Sequence, residues 1–226
     1  MPGEERMRAG FFFGLFLLLL LINVGTASAD TDWQYWNALY LKKSLSEKID
    51  LKLTIYERFD RSMHHLFYAG FQIGPVFKIN RYLEVSPSYC YIESKDSKGH
   101  FRQEDRPTLD VNFKWKTGIL KFTHRSRLEY RFLKALSRYR YRDLLIGGIP
   151  FTISKHAIMP YVSGEIFYEE RKDEFDQYRL SSGVAINLTK DIVFDIYYLL
   201  RSDKASTDLH NWTDLNVLGT SLTFNF

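Results

Sequence analysis

The 226 residues, 45% apolar and 16% aromatic, are enough for one domain, and a single cysteine, Cys90, excludes a disulfide framework. A formal net charge of +4 and a pI near 9.0 would suit a nucleic-acid partner on composition alone. The N-terminus argues for export and so against that partner.

Met7-Arg8-Ala9-Gly10 is a short basic start, Phe11 to Val24 is an almost unbroken apolar run, and Gly25 to Ala29 ends in Ala-x-Ala. That is the layout of a secretory signal peptide cleaved after Ala29. The apolar run, about 14 residues, is too short for a spanning helix, which needs about 20. Residues 1–29 are therefore expected to be removed, leaving 30–226 as a single domain.

Past that point the chain alternates. Leu51, Leu53 and Ile55 interleave with Lys52, Thr54 and Tyr56; Leu109, Val111, Phe113 and Trp115 interleave with Thr108, Asp110, Asn112 and Lys114. Leu180, Ser182, Val184, Ile186 and Leu188 repeat the pattern. Period-two spacing predicts strands with one apolar and one polar face. They fall at about 33–43, 49–60, 66–79, 82–93, 107–117, 119–132, 138–150, 158–170, 177–189, 191–202 and 213–226. Most are long enough to cross a membrane at a tilt, whereas sandwich strands run nearer five or six residues.

Tight turns at Asn80-Arg81, Thr117-Gly118 and Thr189-Lys190 alternate with polar stretches at Glu93–Arg106, Arg171–Asp176 and Ser202–Asn211. Short turns on one side and longer loops on the other is the outer-membrane arrangement. Aromatics gather at strand ends: Tyr89 and Tyr91, Tyr130 and Phe132, Tyr139 and Tyr141, Phe224 and Phe226. Leu222-x-Phe224-x-Phe226 closes the chain like the assembly signal of an outer-membrane barrel. The expectation is an all-β, antiparallel transmembrane outer-membrane β-barrel of 10–12 strands. Eleven segments conflict with the even count usual for bacterial single-chain barrels. Either Trp33–Lys43 threads the lumen and ten strands remain, or two strands are merged elsewhere.

Trp36 before Leu39 and Leu41, Arg106-Pro107, and Arg125-Ser126-Arg127-Leu128-Glu129-Tyr130-Arg131 resemble the domain of unknown function 2490 family. So do Tyr139-Arg140-Tyr141-Arg142, Pro160-Tyr161-Val162-Ser163 with Glu165 and Phe167, and Tyr197-Tyr198-Leu199-Leu200. Trp212-Thr213-Asp214 and Asn216-Val217-Leu218-Gly219 complete the likeness, which spans the chain after the signal segment. The resemblance implies an outer-membrane β-barrel and brings no activity, catalytic residue or cofactor with it.

Alternation sorts the charges by face. Lys52, Arg58, Lys114, Lys116, Lys121, Arg125, Arg127, Arg131, Arg138, Arg140, Arg142, Arg179 and Arg201 fall inward. They stand against Glu84, Asp110, Glu129, Glu165 and Asp195. The candidate site is a lumen track of Arg125, Arg127, Arg131, Arg140, Arg142 and Arg179, with Glu129, Glu165 and Asp195 as lumen acids. One reading is a narrow passive channel favouring small acidic solutes, since guanidinium pairs bidentately with carboxylate. A second is a closed barrel whose charges pair and fill it. A third is a lipid-modifying hydrolase, because His124-Arg125-Ser126 sets a histidine and a serine on the lipid-facing side. That reading lacks an assured orienting partner, with Asp143 the nearest candidate, placed at a bulge. His64-His65, read as a loop pair without a third ligand, argues against metal. The expected partners are outer-membrane lipid, the barrel assembly machinery and small anionic solutes, with no cofactor and no nucleic acid.

Overall fold

The computed structural model describes residues 33–60, 63–96, 98–133, 137–204 and 212–226; the signal segment expected at 1–29 lies outside the described residues. The strands are β1 Trp33–Ser44, β2 Ile49–Asp60, β3 His65–Lys78, β4 Leu83–Lys95, β5 Phe101–Thr117 and β6 Leu120–Leu133. They continue as β7 Arg138–Gly148, β8 Phe151–Ile153, β9 His156–Glu169, β10 Glu174–Asn187, β11 Ile192–Lys204 and β12 Trp212–Asn225. One 3-10 turn, Glu170–Lys172, joins β9 to β10.

Each long strand pairs antiparallel with the next, β7 passing directly to β9, while the three-residue β8 only flanks the start of β9. The circle closes where β1 pairs with β12, and that ladder is parallel, from Trp33↔Asn216 to Lys42↔Asn225. Here the structure departs from an all-antiparallel expectation. Eleven long strands form the wall, so the first and last must run the same way. Trp33–Ser44 is not threaded through the lumen; it is hydrogen-bonded into the wall on both sides, to β12 and to β2.

One rim carries the turns at 45–48, 79–82, 118–119 and 188–191 together with the C-terminus. Three of these turns share a device, a side-chain oxygen, from Ser46, Asn80 or Thr189, that caps the next amides. Asn80 Oδ1 accepts from the amides of Tyr82 (2.8 Å) and Leu83 (3.0 Å), and Thr189 Oγ1 from those of Asp191 (3.2 Å) and Ile192 (3.0 Å). At Gly118 the backbone is left-handed (φ 59°), which glycine adopts without strain. The opposite rim, where Trp33 lies, was expected to carry long loops. Most of its described residues are instead strand: Glu93–Lys95 extends β4, Phe101–Arg106 opens β5, and Glu174–Asp176 opens β10. Ser202–Lys204 extends β11, and residues 205–211 lie outside the described residues.

One stretch of wall is irregular. Pro75 on β3 and Pro87 on β4 have no amide hydrogen to give, and the β3–β4 ladder skips from Ile73↔Tyr89 to Phe77↔Val85. Ser86 Oγ donates to the Pro75 carbonyl at 2.7 Å. Gly74 lies so close to β4 that a Cβ there would meet the Ser88 side chain at 2.5 Å.

Outward positions are apolar and exposed along most strands, among them Leu109, Leu145, Val162 and Ile166. Aromatics flank this band. Tyr139, Tyr141 and Phe132 lie toward the Trp33 rim, and Phe77, Tyr82 and Phe113 toward the C-terminal rim.

The parallel closure fixes where two positions lie. Spin labels at Trp33→Cys and Phe226→Cys, in a Cys90→Ala background, should be separated by roughly 30–35 Å, ten residues of strand. A pulsed-dipolar distance under about 15 Å would place both at one rim and contradict an eleven-strand closure.

Candidate functional site

Ladder register decides which inward charges meet. Arg127 on β6 faces Asp110 on β5, so a bidentate pair forms at 2.6 and 2.6 Å. Glu129 on β6 faces Arg140 on β7 and is 0% exposed. Its carboxylate takes Arg140 at 2.6 Å, Arg142 at 2.8 Å, Arg106 at 3.5 Å and Arg127 at 3.8 Å. Glu165 on β9 takes Arg125 and Arg142 at 2.7 Å each and Arg179 at 3.4 Å. Glu104 on β5 takes Arg131 at 2.6 Å and Arg106 at 2.7 Å, and Glu169 lies 3.4 Å from Arg138 and 3.7 Å from Arg131.

All six arginines of the candidate track therefore point inward, and each is ion-paired. Glu129 and Glu165 are the hubs. Asp195 stands apart: its ladder partners are Ala185 and Ser221, and among the described residues its one side-chain hydrogen bond is from the Tyr161 hydroxyl at 2.9 Å. Alternation alone missed Glu104, Arg106 and Glu169. The first two sat in a supposed loop, although Glu104-x-Arg106-x-Thr108-x-Asp110 continues the inward period of β5 without a break.

Phe167 on β9 also points inward, 0% exposed, with the guanidiniums of Arg142 and Arg179 at 4.6 and 4.4 Å from its ring centre. The network and this ring fill part of the lumen. Beside them a cavity of about 880 Å³ reaches from Lys204 and Asp203 near the Trp33 rim to Thr223. A second, of about 500 Å³, runs on past Lys114 and Asn225 toward the C-terminal rim. Tyr40, Lys52, Thr54, Gln72, Arg125, Val193 and Thr223 line both, so the two meet there. Thirteen basic side chains against seven acidic ones line the larger cavity. Among the described residues, neither Lys52 nor Arg58 has a carboxylate within 4.0 Å.

The outward pair His124 and Ser126 has a partner after all. Asp143 sits in regular register opposite Ser126, with no bulge. It accepts from Ser126 Oγ at 3.1 Å and from the Tyr141 hydroxyl at 2.6 Å, and its other oxygen lies 2.5 Å from His124 Nε2. The carboxylate, not the imidazole, is the centre of this group. A serine nucleophile needs a base at its own oxygen, whereas here Ser126 and His124 both bond to Asp143. The β6 amides are engaged in ladders on either side, so this stretch presents no pair of free donors for an oxyanion. His65 is likewise not in a loop. It opens β3, with Nδ1 2.8 Å from Asp60 and Nε2 3.1 Å from Lys95.

Removing one partner of a buried ion pair costs about 3–5 kcal/mol. Glu129→Gln should therefore lower folding stability in detergent, read by urea titration, by several kcal/mol. Asp195→Asn, which keeps its tyrosine contact, should change it by under about 1 kcal/mol. Equal stability of the two variants would show that the hub does not hold the interior.

No curated protein matches the chain in sequence. Among solved structures, an anion-selective porin from Comamonas acidovorans is similar at 12% identity and a TM-score of 0.36. The match covers 77% of this chain and 54% of the porin, so the chain spans about half the length of that structure. The family described as "Protein of unknown function (DUF2490)" matches residues 33–213, most of the barrel from β1 into β12, and the chain belongs to that family.

Proposed function

We propose that this barrel spans the bacterial outer membrane and acts as a narrow passive path for small acidic solutes. The observation that carries the reading is the lining of the larger cavity, thirteen basic side chains against seven acidic. A low-dielectric wall focuses such an excess and raises the local anion concentration. Membrane placement is supported by the outer face. Exposed Leu109, Leu128, Leu145, Val162, Ile166 and Leu180 would be an aggregation hazard in water and suit hydrocarbon. Tyr139, Tyr141, Phe113 and Phe226, exposed toward the rims, suit the headgroup layers. Outer-membrane lipid and the assembly machinery then follow as partners.

A packed, non-conducting barrel is the second reading, favoured by the complete burial of Glu129 and Phe167 in the arginine network. Conductance decides between them. In planar bilayers under a salt gradient, purified protein should give discrete steps whose reversal potential marks anion preference. Lys52→Glu, at the junction of the two cavities and outside the ion-pair network, should weaken that preference markedly. Silence from correctly folded protein supports the packed reading. Cation preference, or a preference that Lys52→Glu leaves unchanged, overturns the proposed basis of selectivity.

A further inference from the structure

Arg58 points into the lumen from β2 and lies between two rings, its Cζ 3.9 Å from the centre of Trp36 and 4.1 Å from that of Tyr68. On β10, Arg179 repeats the arrangement, 5.0 Å from the Trp36 ring and 4.4 Å from that of Phe167. Arg142 follows, 4.6 Å from Phe167. Rings and guanidiniums thus alternate across the lumen, from Tyr68 on β3 through Arg58, Trp36, Arg179 and Phe167 to Arg142 on β7.

The charges in this row do not balance. Arg142 reaches both Glu129 and Glu165, but among the described residues Arg179 has only Glu165, at 3.4 Å, and shares it with Arg125 and Arg142. Arg179 Nη2 also donates to Gln177 Oε1 at 3.2 Å, while its buried Nε has no partner among the described residues. Arg58 has no carboxylate within 4.0 Å among the described residues. Aromatic faces orient a guanidinium, contributing roughly 0.5–2 kcal/mol, but do not neutralise it. Trp36 and Tyr68, on the strands either side of β2, hold the Arg58 guanidinium between them. Arg58 and Arg179 both line the larger cavity.

A flat guanidinium edge is the partner of two coplanar oxygens. A phosphate can present two of its oxygens to the same edge, whereas a spherical halide cannot use both prongs of the fork in this way. We propose that Arg58, with Arg179 beside it across Trp36, forms a site in the lumen for an oxyanion that offers two oxygens to the fork, as the carboxylate of a small acidic solute does. The inference rests on the reading of the lumen as an anion path, and adds to it a ligand class and a residue. Trp36 and Tyr68 act as positioning residues that hold the Arg58 edge toward the cavity.

The test is thermal unfolding of the full folded protein in detergent, titrated with sodium acetate, chloride or phosphate at constant ionic strength. Acetate and phosphate should raise the midpoint saturably, and chloride should not. In Arg58→Gln the half-saturating acetate concentration should rise at least tenfold. Arg58→Lys keeps the charge and loses the fork, so it should show a similar rise; it also serves if Arg58→Gln does not fold. Equal stabilisation by acetate and chloride in the wild type, or wild-type acetate binding in Arg58→Lys, overturns the site. Anion-selective conductance without saturable acetate binding overturns the site and leaves the channel. Saturable acetate binding in a barrel that never conducts upholds the site and overturns the channel.

Discussion

Everything inside this barrel depends on the parallel ladder between β1 and β12. Without it both strands would present open edges, templates for pairing with other chains, and the inward faces of β1 and β10 would not enclose Trp36 and Arg179 together. Parallel pairing is slightly weaker per residue than antiparallel, and side chains reinforce this seam. The Tyr35 hydroxyl lies 2.6 Å from Thr220 Oγ1, which donates in turn to Asn37 Oδ1 at 3.3 Å. On the other side of β12, the Tyr197 ring of β11 occupies the space a Cβ would need at Gly219.

Closure forces alternate side chains of each wall strand into a shared interior, and this chain brings an excess of arginine there. Two devices accommodate it. Asp110 pairs with Arg127, and Glu104, Glu129, Glu165 and Glu169 each pair with two or more guanidiniums, because an isolated buried charge costs more than the fold can supply. Aromatic rings at Trp36, Tyr68 and Phe167 hold other guanidinium faces. Neither device removes the excess of positive charge along the cavity, and that remainder is what gives the lumen a preference for anions in the proposed function.

Much of the wall was legible because period-two spacing is a local signal. Leu109 to Trp115 or Leu180 to Leu188 need no knowledge of neighbours to read as strands. The start of β5 was hidden because Arg102-Gln103-Glu104-Asp105-Arg106 is polar on both faces, so alternation there has no contrast. Relations between strands were not legible. Alternation places Glu129 and Glu165 inward, but only register puts Arg140 opposite one and Arg179 opposite the other. The same holds on the outer face. Asp143 meets Ser126 and His124 because β6 and β7 pair in that register, a fact no spacing within either strand contains. The parallel seam is the extreme case, since it joins residues 33–42 to 216–225.

The central claim is that water and anions reach a positively biased interior, and chemical labelling inside the lumen tests it most directly. Ala38 lines the larger cavity with a side chain small enough to replace by cysteine without filling the space. In a Cys90→Ala background, Ala38→Cys should react with an anionic methanethiosulfonate on the order of tenfold faster than with a cationic one of similar size. Raising the salt concentration should narrow that ratio. Equal rates, a faster cationic reaction, or no reaction from folded protein would contradict an open, anion-favouring lumen.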